Sequence, residues 1–225
     1  MDSDFKKIDE AFKAEILADP ALHKFLEPEI PNESERASFI KRCLKKLTAR
    51  RMLLLAQWYI ELADHQSKVR ESRPALNIIF LIAMSEAVAK MKTRNSKLGS
   101  LRTIQTFFRH ILRQDKEHLQ RTLQRSLSST KHHALRFSSI IRIFYGVRNE
   151  AVHGGNFWDF SLWEGPKPQP KANVIMHYGL LTFATMTSRS RKTKSKIALE
   201  LRLSYSELRD IFRRTAIENV KSLLN

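Results

Sequence analysis

The stretch from residue 75 to residue 91 constrains the fold most, because it is apolar on nearly every side when it is drawn as a helix. Pro74 stands just before it, in the first helical turn, where proline is well tolerated. A membrane span is the competing interpretation, but crossing a bilayer takes about 20 apolar residues. Asn77, Ser85 and Glu86 interrupt this run. The sequence therefore predicts a helical bundle with this segment at its centre.

The charge of the chain indicates a polyanionic partner. It has 40 Lys and Arg against 23 Asp and Glu, a formal net charge of +17 and a pI near 10.2, which favours nucleic acid. The imbalance is segregated, since residues 1–35 hold ten acids and four bases, whereas residues 36–225 hold 13 acids and 36 bases. The acidic segment could cover a basic surface, or it could be a solvated amphipathic helix.

Cysteine usage and the N-terminus both predict a cytoplasmic protein. Cys43 is the single cysteine, so an intramolecular disulfide and a cysteine-based zinc cluster are both excluded. The first residues are acidic and lack the apolar core of a secretory signal. His132 and His133 are adjacent and would point in different directions on a helix, so they make a poor metal pair. We expect neither a metal nor a cofactor.

Further helices are predicted from apolar residues at helical spacing. The acidic N-terminal arm has the pattern Phe5, Ile8, Phe12 and Ile16. A long helix follows the capping pair Asn32 and Glu35, and its apolar face consists of Ile40, Cys43, Leu44, Leu47, Leu54, Leu55, Trp58 and Leu62. Two shorter helices are predicted over residues 98–112 and 115–127, and Ser128, Ser129 and Thr130 can cap the helix after them.

The C-terminal region changes character. An aromatic and proline-rich loop follows residue 155, and β-branched and aromatic residues then predict two strands, over residues 174–187 and 196–203. The residues that connect the two strands are rich in bases. The sequence therefore predicts a β-hairpin with a basic tip. Ser204 and Glu207 form a capping box for a final helix, which should dock on the bundle through Leu208, Ile211, Phe212, Val220, Leu223 and Leu224.

The segment 144–155 places Arg148, Asn149 and His153 near the end of a helix predicted over residues 135–152. Asn149 and His153 are four residues apart and therefore share one helix face, and the long side chain of Arg148 can reach the same pocket. Gly154 follows, and it ends the helix because glycine tolerates a positive φ. The core face of this helix is predicted as Ile140, Ile141, Phe144, Val147 and Ala151.

This group of side chains suits the cleavage of RNA through its own 2′-hydroxyl. That reaction needs a base that titrates near neutrality and a fixed cation for the charge that develops on the phosphate, and His and Arg match those tasks without a metal. A structural explanation stays open beside it. A His in the last turn of a helix is stabilised by the helix dipole, and a following Gly is ordinary capping.

The pattern Arg148-Asn149-x-x-x-His153 resembles the active-site motif of the HEPN superfamily, helical domains that include metal-independent endoribonucleases of toxins and phage defence. The Asn-x-x-x-His-Gly form is most similar to its Apea-like and abortive-infection branches, with coverage from about residue 74 to residue 153. The resemblance implies His153 as the proton-transfer residue, Arg148 as the phosphate ligand and Asn149 as a positioning group. It also implies a homodimer in which two motifs face each other.

Two further residues bear on this resemblance. Glu86 is similar to an acid in the corresponding helix of Apea-like domains, and the alternative is that it pairs with a nearby base. Toxins of the superfamily that are silenced by a nucleotidyltransferase partner resemble Arg-x4-His-x-Tyr, whereas Gly155 stands at the Tyr position here. Control through modification of that Tyr is therefore not expected.

Two basic groups are predicted to contact RNA. Arg102, Arg109 and Arg113 line one side of the predicted helix at spacings of seven and four, where they could track phosphates. The second group lies in the hairpin connection and consists of Arg189, Arg191, Lys192 and Lys194. A solvated charged face and a solubilising hairpin tip are the respective alternatives.

Together these features predict a mainly α, HEPN-like helical bundle with a C-terminal β-hairpin and a final helix. The predicted divisions are an acidic helical arm (1–33), the bundle with the motif (34–155), and the loop, hairpin and last helix (156–225). The predicted function is a metal-independent endoribonuclease for single-stranded or looped RNA, as a toxin or phage-defence effector. The alternative is a non-catalytic basic nucleic-acid-binding or assembly module. RNA and a second copy of the chain are the expected partners, no membrane is expected, and a regulatory or antitoxin protein is left open.

Overall fold

The computed structural model describes residues 2–69, 74–93, 99–125, 136–154, 179–183, 195–199 and 203–224. This part of the chain is mainly α-helical, as predicted, with a 3₁₀ turn (Phe108–His110) and the strands β1 (Gly179–Phe183) and β2 (Ser195–Leu199). The α-helices are α1 (Asp2–Ala18), α2 (Pro20–Leu26), α3 (Glu33–Leu44), α4 (Leu47–Val69), α5 (Pro74–Thr93), α6 (Ser100–Phe107), α7 (Arg113–Arg125), α8 (Phe137–His153) and α9 (Tyr205–Leu224).

Helix α5 lies at the centre of the bundle, which confirms the prediction made from its all-round apolar surface. It packs against α4, α6, α8 and α9. Its buried apolar residues are Ile78, Leu81, Ile82, Met84, Val88 and Ala89. Each of these side chains except Ala89 contributes roughly 1.5 to 3 kcal/mol on burial. Helix α8, which carries the motif, packs more extensively on α5 than on α6 or α7.

Within the described ranges, none of the helices combines the length and the apolar character needed to cross a bilayer.

The single long helix predicted after residue 32 is wrong, because the chain turns at Lys45 and Lys46 between α3 and α4. The turn changes the rotation of the second helix, so the predicted face does not continue through it. The buried positions of α4 are Ala49, Met52, Leu53, Ala56, Gln57, Ile60 and Ala63. Leu47 and Trp58, which were predicted to be buried, are half exposed.

The helix predicted over residues 98–112 is also wrong in its extent. Helix α6 ends at Phe107, and the 3₁₀ turn and two further residues separate it from α7. Phe107 and Phe108 are neighbours in the chain and both are buried against the ring of Phe212, at centroid distances of 5.9 and 5.1 Å. Neighbouring side chains of an α-helix point about 100° apart. The change from α-helix to a 3₁₀ turn at Phe108 alters these directions, and both rings reach the core.

The C-terminal helix agrees with its prediction. The backbone N–H of Ser204 donates to Glu207 Oε2 at 2.9 Å, and the N–H of Glu207 donates to Ser204 Oγ at 3.2 Å, which is the predicted capping box. The predicted core positions Leu208, Ile211, Phe212 and Val220 are buried, and Leu223 and Leu224 pack partly buried against the core.

The acidic N-terminal segment is held at several points. On α1, Ile16 is buried, whereas Ile8 and Phe12 are largely exposed. Residues of α2 belong to the same core as the rest of the bundle, through the buried Leu22 and Leu26. The predicted divisions at residues 33 and 155 stay predictions.

Strands β1 and β2 pair antiparallel, from Gly179 opposite Leu199 to Phe183 opposite Ser195, and β1 lies beside α8. Most of the remaining residues of the two predicted strands, and the residues that connect the strands, lie outside the described part of the chain. The predicted hairpin as a unit therefore stays a prediction. Ser128, Ser129, Thr130, His132 and His133 also lie outside the described residues.

Candidate functional site

Helix α8 carries the motif, and its buried face fixes the motif's position. The five residues predicted to face the core are all buried: Ile140, Ile141, Phe144, Val147 and Ala151. They pack α8 against α5, α6 and α7. Val152, His153 and Gly154 are exposed, and Gly154 follows the helix in a bend. The last turn of α8 therefore presents the motif at the protein surface while the turns before it are anchored.

The structure brings Arg148, Asn149 and His153 together. Arg148 Nη1 donates to Asn149 Oδ1 at 3.0 Å and lies 3.5 Å from Nε2 of His153. Arg148 and Asn149 are half-buried, and His153 is exposed. A single guanidinium nitrogen thus contacts both neighbours, so the three side chains form one group as the spacing predicted.

The contact between Arg148 and His153 joins a permanent cation to an imidazole. A guanidinium nitrogen can only donate, so in a hydrogen bond between these two atoms Nε2 of His153 is the acceptor. The distance of 3.5 Å is at the long end for a hydrogen bond, and catalytic hydrogen bonds commonly tighten only when substrate binds.

Glu86 lies on α5, the helix that packs against α8. Its Oε1 is buried and has no hydrogen-bond partner among the described residues. In that part of the chain, no hydrogen bond or ion pair joins it to the motif, and the alternative of a nearby basic partner is not seen either. A buried oxygen without a partner costs free energy, so Glu86 is an unsatisfied group on the helix that supports α8.

The first predicted RNA-contacting group is not one stripe. Arg102 lies on α6, Arg109 in the 3₁₀ turn, and Arg113 at the start of α7, because the predicted helix breaks at Phe107. All three side chains are exposed. Arg113 forms an ion pair with Glu117, at 2.7 Å between Nε and Oε1. The second group, Arg189, Arg191, Lys192 and Lys194, lies outside the described residues, as does Gly155.

Other kinds of site are not found where the structure describes the chain. No three His, Cys, Asp or Glu residues lie close enough to hold a metal ion within the described ranges. Burial raises the pKa of the Cys43 thiol to about 12, so this residue is a poor nucleophile. Two clefts of about 500 and 490 Å³ are lined by charged residues of α3 and α9 and of α2, α4 and α9. Neither of these two clefts contains a motif residue.

Sequence reasoning missed one basic surface. Lys45 and Lys46 lie in the turn between α3 and α4, and Arg51 and Trp58 are exposed on the following helix. The predicted continuous helix has Trp58 on its apolar face, so the sequence does not predict an exposed Trp58 near these bases. The available signal was the run of bases without an acid from residue 36 to residue 60.

Comparisons with protein-family models, with curated protein sequences and with solved structures gave no significant match to this chain.

Proposed function

We propose that this chain is a metal-independent endoribonuclease of HEPN-like fold that cleaves single-stranded or looped RNA and acts as a toxin or phage-defence effector. The observation that supports it best is the group formed by Arg148, Asn149 and His153 at the exposed end of a firmly packed helix. A titratable imidazole beside a permanent cation is the pair that phosphodiester cleavage through the 2′-hydroxyl needs. The proposed fold also includes the basic β-hairpin predicted over residues 174–203, which is added to the helical bundle.

In the proposed reaction, the imidazole of His153 takes the proton of the 2′-hydroxyl, and the resulting oxygen attacks the adjacent phosphorus. The bond from phosphorus to the 5′-oxygen breaks, which gives a 2′,3′-cyclic phosphate on one fragment and a 5′-hydroxyl on the other. Arg148 stabilises the charge on the pentacoordinate phosphate. Asn149, which accepts from Arg148 Nη1, holds the guanidinium in place.

The reaction also needs an acid that protonates the leaving 5′-oxygen, and one chain offers a single Arg148-His153 set. We propose that a second copy supplies it across a two-fold interface that contains α8. The end of α8 is exposed at Val152 and His153, so it is accessible to a partner chain. Glu86 and Gly154 are supporting residues in this proposal, through the packing of α5 on α8 and the end of the helix.

Cleavage of a single-stranded RNA in the presence of a chelator tests the proposal. We expect cleavage without added metal, products ending in 2′,3′-cyclic phosphate, and no cleavage when the RNA is replaced by DNA of the same sequence. His153→Ala and Arg148→Ala should each lower the rate by roughly 10² or more. The matched controls are the exposed His65→Ala on α4 and Arg142→Ala on α8, which should keep the wild-type rate.

A non-catalytic nucleic-acid-binding module is the second candidate. The bond from Arg148 to Asn149 is local to one helix, and a group that only stabilises the helix end would also form it. Under this candidate the wild-type chain binds RNA but does not cut it, and His153→Ala lowers thermal stability. Cleavage that requires a divalent metal, or that proceeds equally on DNA, contradicts the proposed mechanism.

A further inference from the structure

The turn between α3 and α4 concentrates positive charge. Six bases stand between residues 41 and 51, namely Lys41, Arg42, Lys45, Lys46, Arg50 and Arg51, and no acid occurs from residue 36 to residue 60. We call this set the α3–α4 basic turn. It lies on the α4 side of the bundle, and α5 packs between α4 and the motif helix α8. The turn is therefore a separate surface from the motif.

Within the basic turn, three members are already engaged. The guanidinium of Arg42 lies over the ring of Phe39, 5.9 Å from its centroid. Arg50 donates to Asp9 of α1 at 3.1 Å and lies over the ring of Phe12, 5.6 Å from its centroid. Lys46 Nζ donates to the carbonyl oxygen of Leu223 at 2.5 Å. Lys45 and Arg51 are exposed and have no ion pair among the described residues. Lys41 is also exposed without an ion pair among the described residues, but it lies on α3. Lys45 and Arg51 are therefore the cations of the turn and of α4 that are available to an external anion.

The electrostatics of α4 add to this surplus. Helix α4 begins at Leu47, and its first turn contains no acid. The start of a helix carries partial positive charge, so bases placed there repel it and are stabilised by an anion. Lys46 directly precedes this helix start, and so does Lys45, which is also the C-cap of α3, where a cation is favourable. Arg51 lies beyond the first turn of α4, so its availability for an anion follows from its exposure and from the absence of an ion pair among the described residues.

Trp58 lies beside these cations on the outer side of α4. It follows Arg51 by seven residues, which is two helical turns or about 10 Å along the axis on one face. Its side chain is 55% exposed. The ring of Tyr59 contacts it edge to face, with 5.1 Å between centroids. A large exposed indole beside unpaired bases is the combination with which proteins bind single-stranded nucleic acid, through backbone charge and base stacking.

We infer that the α3–α4 basic turn and Trp58 form a binding surface for single-stranded nucleic acid. Lys45 and Arg51 contact backbone phosphates, and a base stacks on the exposed face of Trp58. An anionic membrane is the main competitor, since it also attracts bases and Trp. Binding there needs a continuous apolar strip. On α4 the largely exposed Leu47 and Trp58 are eleven residues apart with Arg51 between them, so nucleic acid fits this surface better.

Fluorescence anisotropy with a labelled 2′-O-methyl RNA of 12 nucleotides tests this surface. The probe has no free 2′-hydroxyl, so the result does not depend on whether the chain cleaves RNA. We expect Lys45→Gln/Arg51→Gln to reduce the slope of log affinity against log salt by about 1.4, as loss of two single-strand phosphate contacts requires. Trp58→Ala should weaken binding about fivefold or more, and Trp58→Phe should weaken it less because it keeps an aromatic ring.

Lys68→Gln is the matched control, because Lys68 is exposed near the far end of the same helix. It should leave the salt slope unchanged, and thermal melting should show that all variants are folded. The inference is overturned if wild-type protein does not bind the probe, or if the double variant and Lys68→Gln have the same slope. It is also overturned if the double variant loses binding to phosphatidylserine vesicles but keeps full binding to the RNA.

Discussion

The guanidinium of Arg214 holds the carboxylate of Asp115 through two parallel hydrogen bonds, from Nε to Oδ2 at 2.8 Å and from Nη2 to Oδ1 at 2.7 Å. Only 6% of the Asp115 side chain is exposed. The pair joins α9 to the first turn of α7, and α7 packs against the motif helix α8. This ion pair therefore connects α9 to α7, one of the helices that pack against the motif helix α8.

Arg214→Ala should lower the free energy of unfolding by about 3 kcal/mol, because it leaves the buried Asp115 carboxylate without its partner. Urea denaturation measures this. Arg113→Ala is the control, since Arg113 pairs with Glu117 on the surface of the same helix as Asp115, and exposed ion pairs contribute little to stability. Equal effects of the two substitutions would contradict the structural role given to Arg214.

Ser204→Ala should lower the free energy of unfolding by about 1 kcal/mol, because the hydroxyl caps the first turn of α9. Ser38→Ala, at an exposed position inside α3, is the control and should have a much smaller effect. The same denaturation curves measure both. A Ser204→Ala protein as stable as the wild type would contradict the capping role.

The capping box should also depend on pH. Burial opposes ionisation of Glu207, but the hydrogen bonds from Ser204 and the nearby His118 outweigh burial and lower the pKa of Glu207 from 4.5. A carboxyl whose pKa is lowered by folding contributes stability above its unfolded pKa and loses it as pH falls through the folded value. Below pH 4.5, Glu207→Gln and wild type should therefore become more similar in stability.

His110 gives a second dependence on pH, nearer neutrality. Burial and the adjacent Lys92, whose Nζ contacts His110 Nε2, lower the pKa of His110 below 6.5. Its protonation is thus disfavoured in the folded state. Stability should be full above pH 6.5 and should fall as pH decreases from 6.5 toward the lowered pKa. His110→Gln should flatten this dependence in urea denaturation, and the exposed control His65→Gln should not. Parallel curves for all three proteins would contradict the assignment.

Features that are determined by residues close together in the chain could be predicted from the sequence, and features that depend on distant residues could not. The central position of α5 followed from its own apolar surface, and the contact of Arg148 with His153 followed from spacing within one helix. The breaks at Lys45 and Phe107 were not predictable from periodicity, because apolar residues continue at near-helical spacing across both. Which side of α4 would be buried depended on the first break.

Long-range pairs were out of reach for the same reason. Asp115 and Arg214 are 99 residues apart in the chain, and nothing in the sequence near either residue indicates the other. The exposure of Trp58 beside Arg51 likewise depends on how α4 is rotated in the bundle. The group of Arg148, Asn149 and His153 lies within one helix and could be predicted from sequence. The surface formed by the α3–α4 basic turn and Trp58 depends on how two helices are arranged, and it could not be predicted.

The proposed shared active site makes a prediction about mixed variants. If each cleavage needs a complete Arg148-His153 set in both copies, then mixing inactive Arg148→Ala chains with inactive His153→Ala chains gives little activity. Arg142→Ala chains keep their motif and serve as the active partner. When they are mixed with either inactive variant, the cleavage rate should fall in proportion to the fraction of Arg142→Ala chains that are in mixed dimers. Cleavage rates at several mixing ratios measure this.

The same model predicts that RNA strengthens the dimer. A two-fold interface at α8 places two Arg148 guanidiniums in one cleft with the two His153 rings, and the mutual repulsion of the guanidiniums weakens the empty dimer. A phosphate backbone relieves that repulsion, so 2′-O-methyl RNA should raise the dimer fraction in sedimentation at micromolar protein, more strongly at low salt than at high salt. Arg148→Ala should make the empty dimer tighter and less responsive to RNA. Cleavage activity strictly proportional to protein, down to concentrations at which only monomer sediments, would refute the shared site and leave the helical fold unaffected.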